Sequence, residues 1–116
     1  MSPRPGETVA IGMGSNLGDR PRTLRAALRE LRRLLDDVRA SGVWETAPVG
    51  PRDQPLFLNA CCTARTRQTP RQLLSTLQDL ERRAGRTRTG PRYGPRTLDL
   101  DLLLYGRRVI ETPDLV

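Results

Sequence analysis

The sequence predicts an α+β fold, a ferredoxin-like βαββαβ sandwich with an added hairpin strand. Three observations lead there. Two series, Leu24-Leu28-Leu31-Leu35 and Leu73-Leu77-Leu80-Ala84, repeat at helical spacing and give each segment one apolar stripe. Short apolar runs bounded by Gly, Pro, Asn and Asp lie around them, as strands do. The order along the chain is strand, helix, two strands, helix, strand, and then a turn into one more short strand.

Thr8 to Met13 reads as a short buried strand. Gly14-Ser15-Asn16-Leu17-Gly18-Asp19 follows as a turn, because Gly and Asn tolerate unusual backbone angles. The first helix is expected from about Pro21 to Asp36, with arginines over its outer surface. Val38 to Glu45 is the second strand candidate, weakened by Gly42, and Thr46 to Pro55 is a loop carrying three prolines and a glycine. Leu56 to Thr66 is the third strand. The second helix has a written start: Thr69 as cap, Pro70 in the first turn and Gln72 completing a capping box, with Gly85 as its stop. Gly85 to Pro95 is an arginine- and glycine-rich loop. Arg96 to Tyr105 is the fourth strand, and Gly106-Arg107 turns the chain into Arg108 to Ile110.

Composition limits the chemistry. A chain of 116 residues, 36% of them hydrophobic, has material for one modest core, so a single domain over 1–116 is expected. No apolar run is long enough to span a membrane, and Met1 to Glu7 has no apolar signal region, which points to a cytoplasmic, soluble protein with no membrane partner. The two cysteines, Cys61 and Cys62, are adjacent; on a strand they face opposite ways and are poorly placed to pair. There is no histidine, which removes the commonest general base and Ser/His/Asp chemistry. Net charge is +7 and every basic residue is arginine. Guanidinium forks grip phosphate oxygens bidentately, although coding bias would also give so many arginines. The four aromatics, Trp44, Phe57, Tyr93 and Tyr105, make no stacking series of the kind single-strand nucleic-acid binders use.

The sharpest constellation is Thr97-Leu98-Asp99-Leu100-Asp101-Leu102-Leu103-Leu104. Alternation puts Leu98, Leu100, Leu102 and Leu104 on one face and Asp99 and Asp101 on the other, roughly 7 Å apart along the strand. Oxygen-only ligands suit Mg²⁺, which is held by one or two carboxylates together with substrate phosphates. A bare D-x-D pair is more often two surface aspartates. Here Arg86, Arg88, Arg92 and Arg96 lie just upstream among Gly85, Gly90 and Gly94. Glycines let backbone approach a ligand, and arginines clamp a polyphosphate. Alone, that loop would equally fit nonspecific nucleic-acid contact. Gly12-Met13-Gly14-Ser15-Asn16 is neither a P-loop nor a dinucleotide fingerprint. Phe57 and Asn59 share a strand face, an aromatic and an amide suited to a flat heterocycle, or else a core residue and a strand-end amide.

Four separated segments resemble the 6-hydroxymethyl-7,8-dihydropterin pyrophosphokinase family of folate synthesis. They are Ile11 to Asp19, Trp44 to Gly50, Asp53-Gln54-Pro55 with Phe57 to Ala60, and Arg92 to Leu103, in family order and over nearly the whole chain. The resemblance implies diphosphate transfer from ATP to the pterin hydroxymethyl group, giving AMP. It implies that Asp99 and Asp101 hold a pair of Mg²⁺ ions, and that Arg86 and Arg96 contact the phosphates and carry catalysis with them. Arg88, Tyr93, Gln78, Glu81 and Leu102 would complete the ATP contacts. Gly14, Asn16, Thr46, Ala47, Val49, Phe57 and Asn59 would surround the pterin. The partners implied are these small molecules, with no nucleic acid and a monomeric enzyme.

Tyr93 stands where the family often has Trp, and Ala47 where it often has Pro. The family continues into a Pro-His segment, an Arg and a second stacking aromatic, whereas this sequence stops at Val116. The chain is therefore expected to lack the family's C-terminal segment and to associate through surface that segment would cover. A catalytically silent remnant and a basic RNA-binding α+β domain are the competing readings.

Overall fold

Alternation of apolar with small residues makes Glu7–Ser15 the first strand, β1: Val9, Ile11 and Met13 are buried, while Ala10 and Gly12 between them are half-buried. A computed structural model describes residues 6–47, 56–85 and 97–109. The first helix, α1, is Arg20–Leu34. Its cap is Asp19, whose carboxylate accepts the Arg22 N–H at 3.2 Å, so the turn ends in a cap that the sequence reading did not assign. The second predicted strand is two pieces, β2 (Asp36–Ala40) and β3 (Trp44–Thr46), parted at 41–43 around Gly42. The third, β4, is Phe57–Thr66.

The second helix, α2, is Pro70–Arg83. Both halves of the predicted capping box form: Gln72 N–H donates to Thr69 Oγ1 at 3.2 Å, and Thr69 N–H to Gln72 Oε1 at 2.9 Å. Gly85 follows with φ +95°, the left-handed conformation that ends helices and favours glycine. The last strands are β5 (Asp99–Tyr105) and β6 (Arg108–Val109).

The pairs are antiparallel and run in the order β2-β4-β1-β5-β6, with β3 beside β2 on the same flank of β4. This is a mixed α+β architecture. Both helices cover one face of the sheet. Leu24, Ala27, Leu31 and Leu35 from the α1 side and Leu73, Leu77 and Leu80 from α2 meet Val9, Ile11, Met13, Leu58, Ala60, Cys62, Ala64, Leu98, Leu100 and Leu102 in one core. Each fully buried Leu or Ile contributes about 1.5–3 kcal/mol. The helical stripes thus follow the sequence reading, with Leu28 and Ala84 only partly buried. Among the described residues, no helix is long and apolar enough to cross a membrane.

One expectation about β5 is corrected. Leu104 does not join the buried face; it is 40% exposed, as is Leu103. The cause is a β-bulge: Ile11 pairs with Leu102, but the next residue of β1, Ala10, pairs with Leu104, so Leu103 is extra. The alternation then resumes one residue out of phase, and Tyr105 takes the buried position opposite Val9. Its hydroxyl donates to the Gln68 carbonyl.

Candidate functional site

The face of the sheet that the helices do not cover carries the candidate site. Directly paired residues of an antiparallel sheet project to the same face. Gly14 of β1 pairs with Asn59 on one side and Asp99 on the other, and Asn59 pairs in turn with Trp44. One row therefore crosses four strands: Trp44, Asn59, Gly14, Asp99. The next row is Cys61, Gly12, Asp101. At the end of the sheet Thr46 pairs with Phe57.

The glycines make the floor of this site. A Cβ on Gly14 would stand 3.4 Å from both Asn59 Oδ1 and Phe57 Cδ1, tight enough to push them aside. A Cβ on Gly12 would meet the Leu103 side chain at 3.5 Å. Neither glycine is needed for a left-handed turn. They lie in a strand and put no side chain of their own between the heterocycle-binding candidates on β4 and the aspartates on β5, while the Leu103 side chain comes over Gly12. With strands about 4.8 Å apart, two spacings put Asn59 and Asp99 roughly 10 Å apart at the backbone.

On the β4 side, Asn59 is held by its amide: Nδ2 donates to Thr46 Oγ1 at 2.9 Å, and to the carbonyls of Trp44 and Phe57 at 3.3 Å. Its Oδ1 is turned toward Gly14. Phe57 is half-buried and Ala47 exposed. Asn16, at the end of β1, is fully buried. On the β5 side, Asp99 is half-buried and Asp101 exposed, on the same face, as the alternation predicts. No group of three or more His, Cys, Asp or Glu side chains able to cage a metal occurs among the described residues. A lone carboxylate pair fits Mg²⁺, which keeps water or phosphate oxygens in its remaining positions.

Two of the expected ATP contacts stand elsewhere. Leu102 is on the helix-covered face, 5% exposed and within the core, so its side chain does not join the aspartates. Glu81 is on the buried stripe of α2, 6% exposed, and its Oε2 accepts the N–H of Leu100 at 2.7 Å. Gln78, one turn earlier, is half-buried. Arg86, Arg88, Tyr93, Arg96 and Val49 lie outside the described residues. The cleft between α1 and α2, floored by Ala26, Ala27, Leu80, Ala84 and Leu98, belongs to the covered side and not to this site.

Sequence reasoning missed one residue at the margin of the site. Arg20 donates from the same Nη1 to Glu45 Oε2 at 3.0 Å and to the Leu56 carbonyl at 2.7 Å. It thereby ties the start of α1 to both ends of the segment between β3 and β4. No local signal could have found it, because its partners are 25 and 36 residues away. The two cysteines are free and divide between the faces, Cys61 half-buried on the open side and Cys62 in the core. Burial, and secondarily the neighbouring Cys61, push the Cys62 thiol up to about 11.

Comparison with known proteins bears on the same residues. The family model described as 7,8-dihydro-6-hydroxymethylpterin-pyrophosphokinase matches residues 10–115. The 2-amino-4-hydroxy-6-hydroxymethyldihydropteridine pyrophosphokinase of Bacillus subtilis is 44% identical over 108 residues, covering 91% of this chain and 64% of the relative. The Haemophilus influenzae protein of the same name is 41% identical over 110 residues, 93% of this chain and 68% of the relative. A folate synthesis bifunctional protein of Arabidopsis thaliana is 42% identical over 111 residues, 95% of this chain but 23% of that protein. The chain thus spans about two thirds of the single-function relatives and under a quarter of the bifunctional one. With the family model matching residues 10–115 and a relative 41% identical over 68% of its own length, the chain belongs to the 7,8-dihydro-6-hydroxymethylpterin-pyrophosphokinase family.

Proposed function

We propose that this chain transfers a diphosphate from ATP to 6-hydroxymethyl-7,8-dihydropterin, giving AMP and the pterin methyl diphosphate in folate synthesis. The observation that carries the reading is the row Asn59-Gly14-Asp99. It sets an amide and an aromatic suited to a flat heterocycle across a bare strand from a carboxylate pair suited to phosphate-bound Mg²⁺. The 37–47% identity to curated relatives along the chain favours the enzyme over a silent remnant. The strand order, with β2 and β3 taken together as one interrupted strand, supports the ferredoxin-like βαββαβ topology with β6 as the added hairpin strand.

In this reading Phe57 offers a face for the pterin ring, and Asn59 Oδ1 accepts from its edge while Thr46 holds the amide in place. Gly14 allows the ring to lie close to β1. Asp99 and Asp101 would hold Mg²⁺, which when bound neutralises phosphate charge. Arg86 and Arg96, with Arg88, Tyr93 and Gln78, are assigned to the ATP phosphates and nucleoside. Val49, Ala47 and Asn16 are assigned to the pterin side. The hydroxyl oxygen forms a bond to the β-phosphorus as the bond from that phosphorus to the bridging oxygen of the α-phosphate breaks, and the hydroxyl proton passes to solvent. Positioning of two reactants on one rigid sheet supplies most of the acceleration.

The test is AMP release from ATP and the hydroxymethyl pterin by the purified chain, with Mg²⁺ varied. Release that depends on both substrates and on Mg²⁺, and that disappears in Asp101→Ala, supports the reading. Tight polynucleotide binding without AMP release would favour a basic nucleic-acid domain instead.

A further inference from the structure

Glu81 is an unusual occupant of its position. It is a charged residue on the apolar stripe of α2 beside the buried Leu77 and Leu80, and is itself 6% exposed. Packing alone would be served by leucine or methionine, and burying a carboxylate is costly unless it is hydrogen-bonded. One of its partners is informative. Oε2 accepts the backbone N–H of Leu100 at 2.7 Å, a short, charge-assisted bond of the stronger kind.

Leu100 lies opposite Met13 in the ladder between β1 and β5. In an antiparallel ladder, pairs that exchange both backbone hydrogen bonds alternate with pairs whose N–H and C=O point outward. The bond to Glu81 identifies Leu100 as the outward kind. Its neighbours Asp99 and Asp101 are then the ones that bond inward, to Gly14 and Gly12. Among the described residues, the strand β6 pairs with β5 at Leu104 and Tyr105. At Leu100, among the described residues, β5 is therefore a sheet edge, and a side chain from α2 occupies the place where a further strand would bond.

We infer that Glu81 is a positioning residue for the Asp99–Asp101 pair. It pins the peptide between them from the outer edge while β1 pins each of them from the inner edge. The strand cannot rock about its own axis, and the two carboxylates leave the sheet at a fixed spacing and direction. The inference rests on the proposed role of the pair in holding phosphate-bound Mg²⁺. It replaces direct contact with ATP as the task of Glu81, and it explains why a buried charge is kept under this strand. Such groups serve geometry better than stability.

Glu81→Gln keeps an acceptor oxygen in place and removes the charge, whereas Glu81→Leu keeps the bulk and removes the acceptor. Three quantities are measured on the full chain: hydrogen exchange of the Leu100 amide, Mn²⁺ affinity in the presence of a non-hydrolysable ATP analogue by electron paramagnetic resonance, and kcat with KM for the pterin. Glu81→Leu is expected to speed Leu100 exchange and to weaken Mn²⁺ affinity and kcat by about tenfold or more, with KM for the pterin unchanged. Glu81→Gln is expected to return all three close to wild type. A folded Glu81→Leu with wild-type Mn²⁺ affinity overturns the inference. So does Glu81→Gln as impaired as Glu81→Leu, because the charge itself would then be in use. If Glu81→Leu fails to fold, Glu81→Gln decides: a protected Leu100 amide with normal Mn²⁺ affinity supports positioning, and lost affinity overturns it. A wild-type chain that releases no AMP, while its Mn²⁺ affinity still falls in Glu81→Leu and returns in Glu81→Gln, would refute the transfer reaction and leave the positioning role standing.

Discussion

The two faces of this sheet are built from the same strands under opposite rules. The helix-covered face is mostly leucine, isoleucine, valine and alanine, with Met13, Cys62 and Tyr105, and is closed by two amphipathic helices. The open face carries Gly12, Gly14, Asn59, Cys61, Asp99 and Asp101 in register across β4, β1 and β5. Neighbours in sequence such as Leu100 and Asp101 thus answer to different demands, one to cohesion and the other to a ligand. The lesson is that function here is written at alternate positions of strands whose other positions hold the fold, so substitutions one residue apart should fail in different ways.

The sharpest way to break this comparison is to exchange the rules at adjacent residues. Leu100→Asp buries an unpaired charge in the core and is expected to unfold the chain, seen as loss of the cooperative thermal transition. Asp101→Ala, one residue on, is expected to keep that transition and lose transfer by about a hundredfold or more in an AMP-release assay. A folded, active Leu100→Asp would show that the faces are reversed. Next in size, Leu73→Ala on the covered side should cost about 2–5 kcal/mol in urea unfolding. Gly14→Ala on the open side should leave stability nearly intact and raise KM for the pterin, since its Cβ would sit 3.4 Å from Phe57 and Asn59.

The cysteines give the same contrast within one dipeptide. Iodoacetamide should modify Cys61 while the fold stands and reach Cys62 only on unfolding. The Cys62 thiol, raised from 9.0 to about 11, favours the fold while it is protonated. Stability from this group is therefore full below about pH 9 and is lost as the pH rises toward 11. Cys62→Ala should flatten that alkaline decline in a melting series. The smallest effect sharpens the picture from outside both faces: Thr69→Ala removes the cap of α2 and should cost about 1 kcal/mol, without changing KM.

Much of this was legible in the sequence, and what was not has a physical cause. The stripes of α1 and α2, the Thr69–Gln72 box and the shared face of Asp99 and Asp101 follow from local periodicity and local hydrogen bonds. The split of the second strand around Gly42 was half visible, because glycine weakens a strand without saying whether it breaks. The Asp19 cap was hidden in a run of turn residues. The Leu103 bulge was invisible, since four apolar residues in succession from Leu102 to Tyr105 leave no polar mark of a change in phase. Arg20 and Glu81 depend on partners brought close only by folding. The site's arrangement across strands was likewise unreadable: the spacing of Asn59 and Asp99 is a matter of strand order, which no single segment encodes.

The bulge also sets terms for anyone who edits this protein. From Asp99 to Leu102 an odd position tolerates a polar side chain and an even one does not; beyond Leu103 the parity inverts, so Leu104 is the replaceable residue and Tyr105 the committed one. A library that varied β5 by uniform alternation would place its polar letters at 105 and lose most members to misfolding. One that changes phase at 103 would spare them. Deleting Leu103 should accordingly turn no side chain over: Leu102 inward, Leu104 outward and Tyr105 inward is a plain alternation that stays in step with Ile11, Ala10 and Val9.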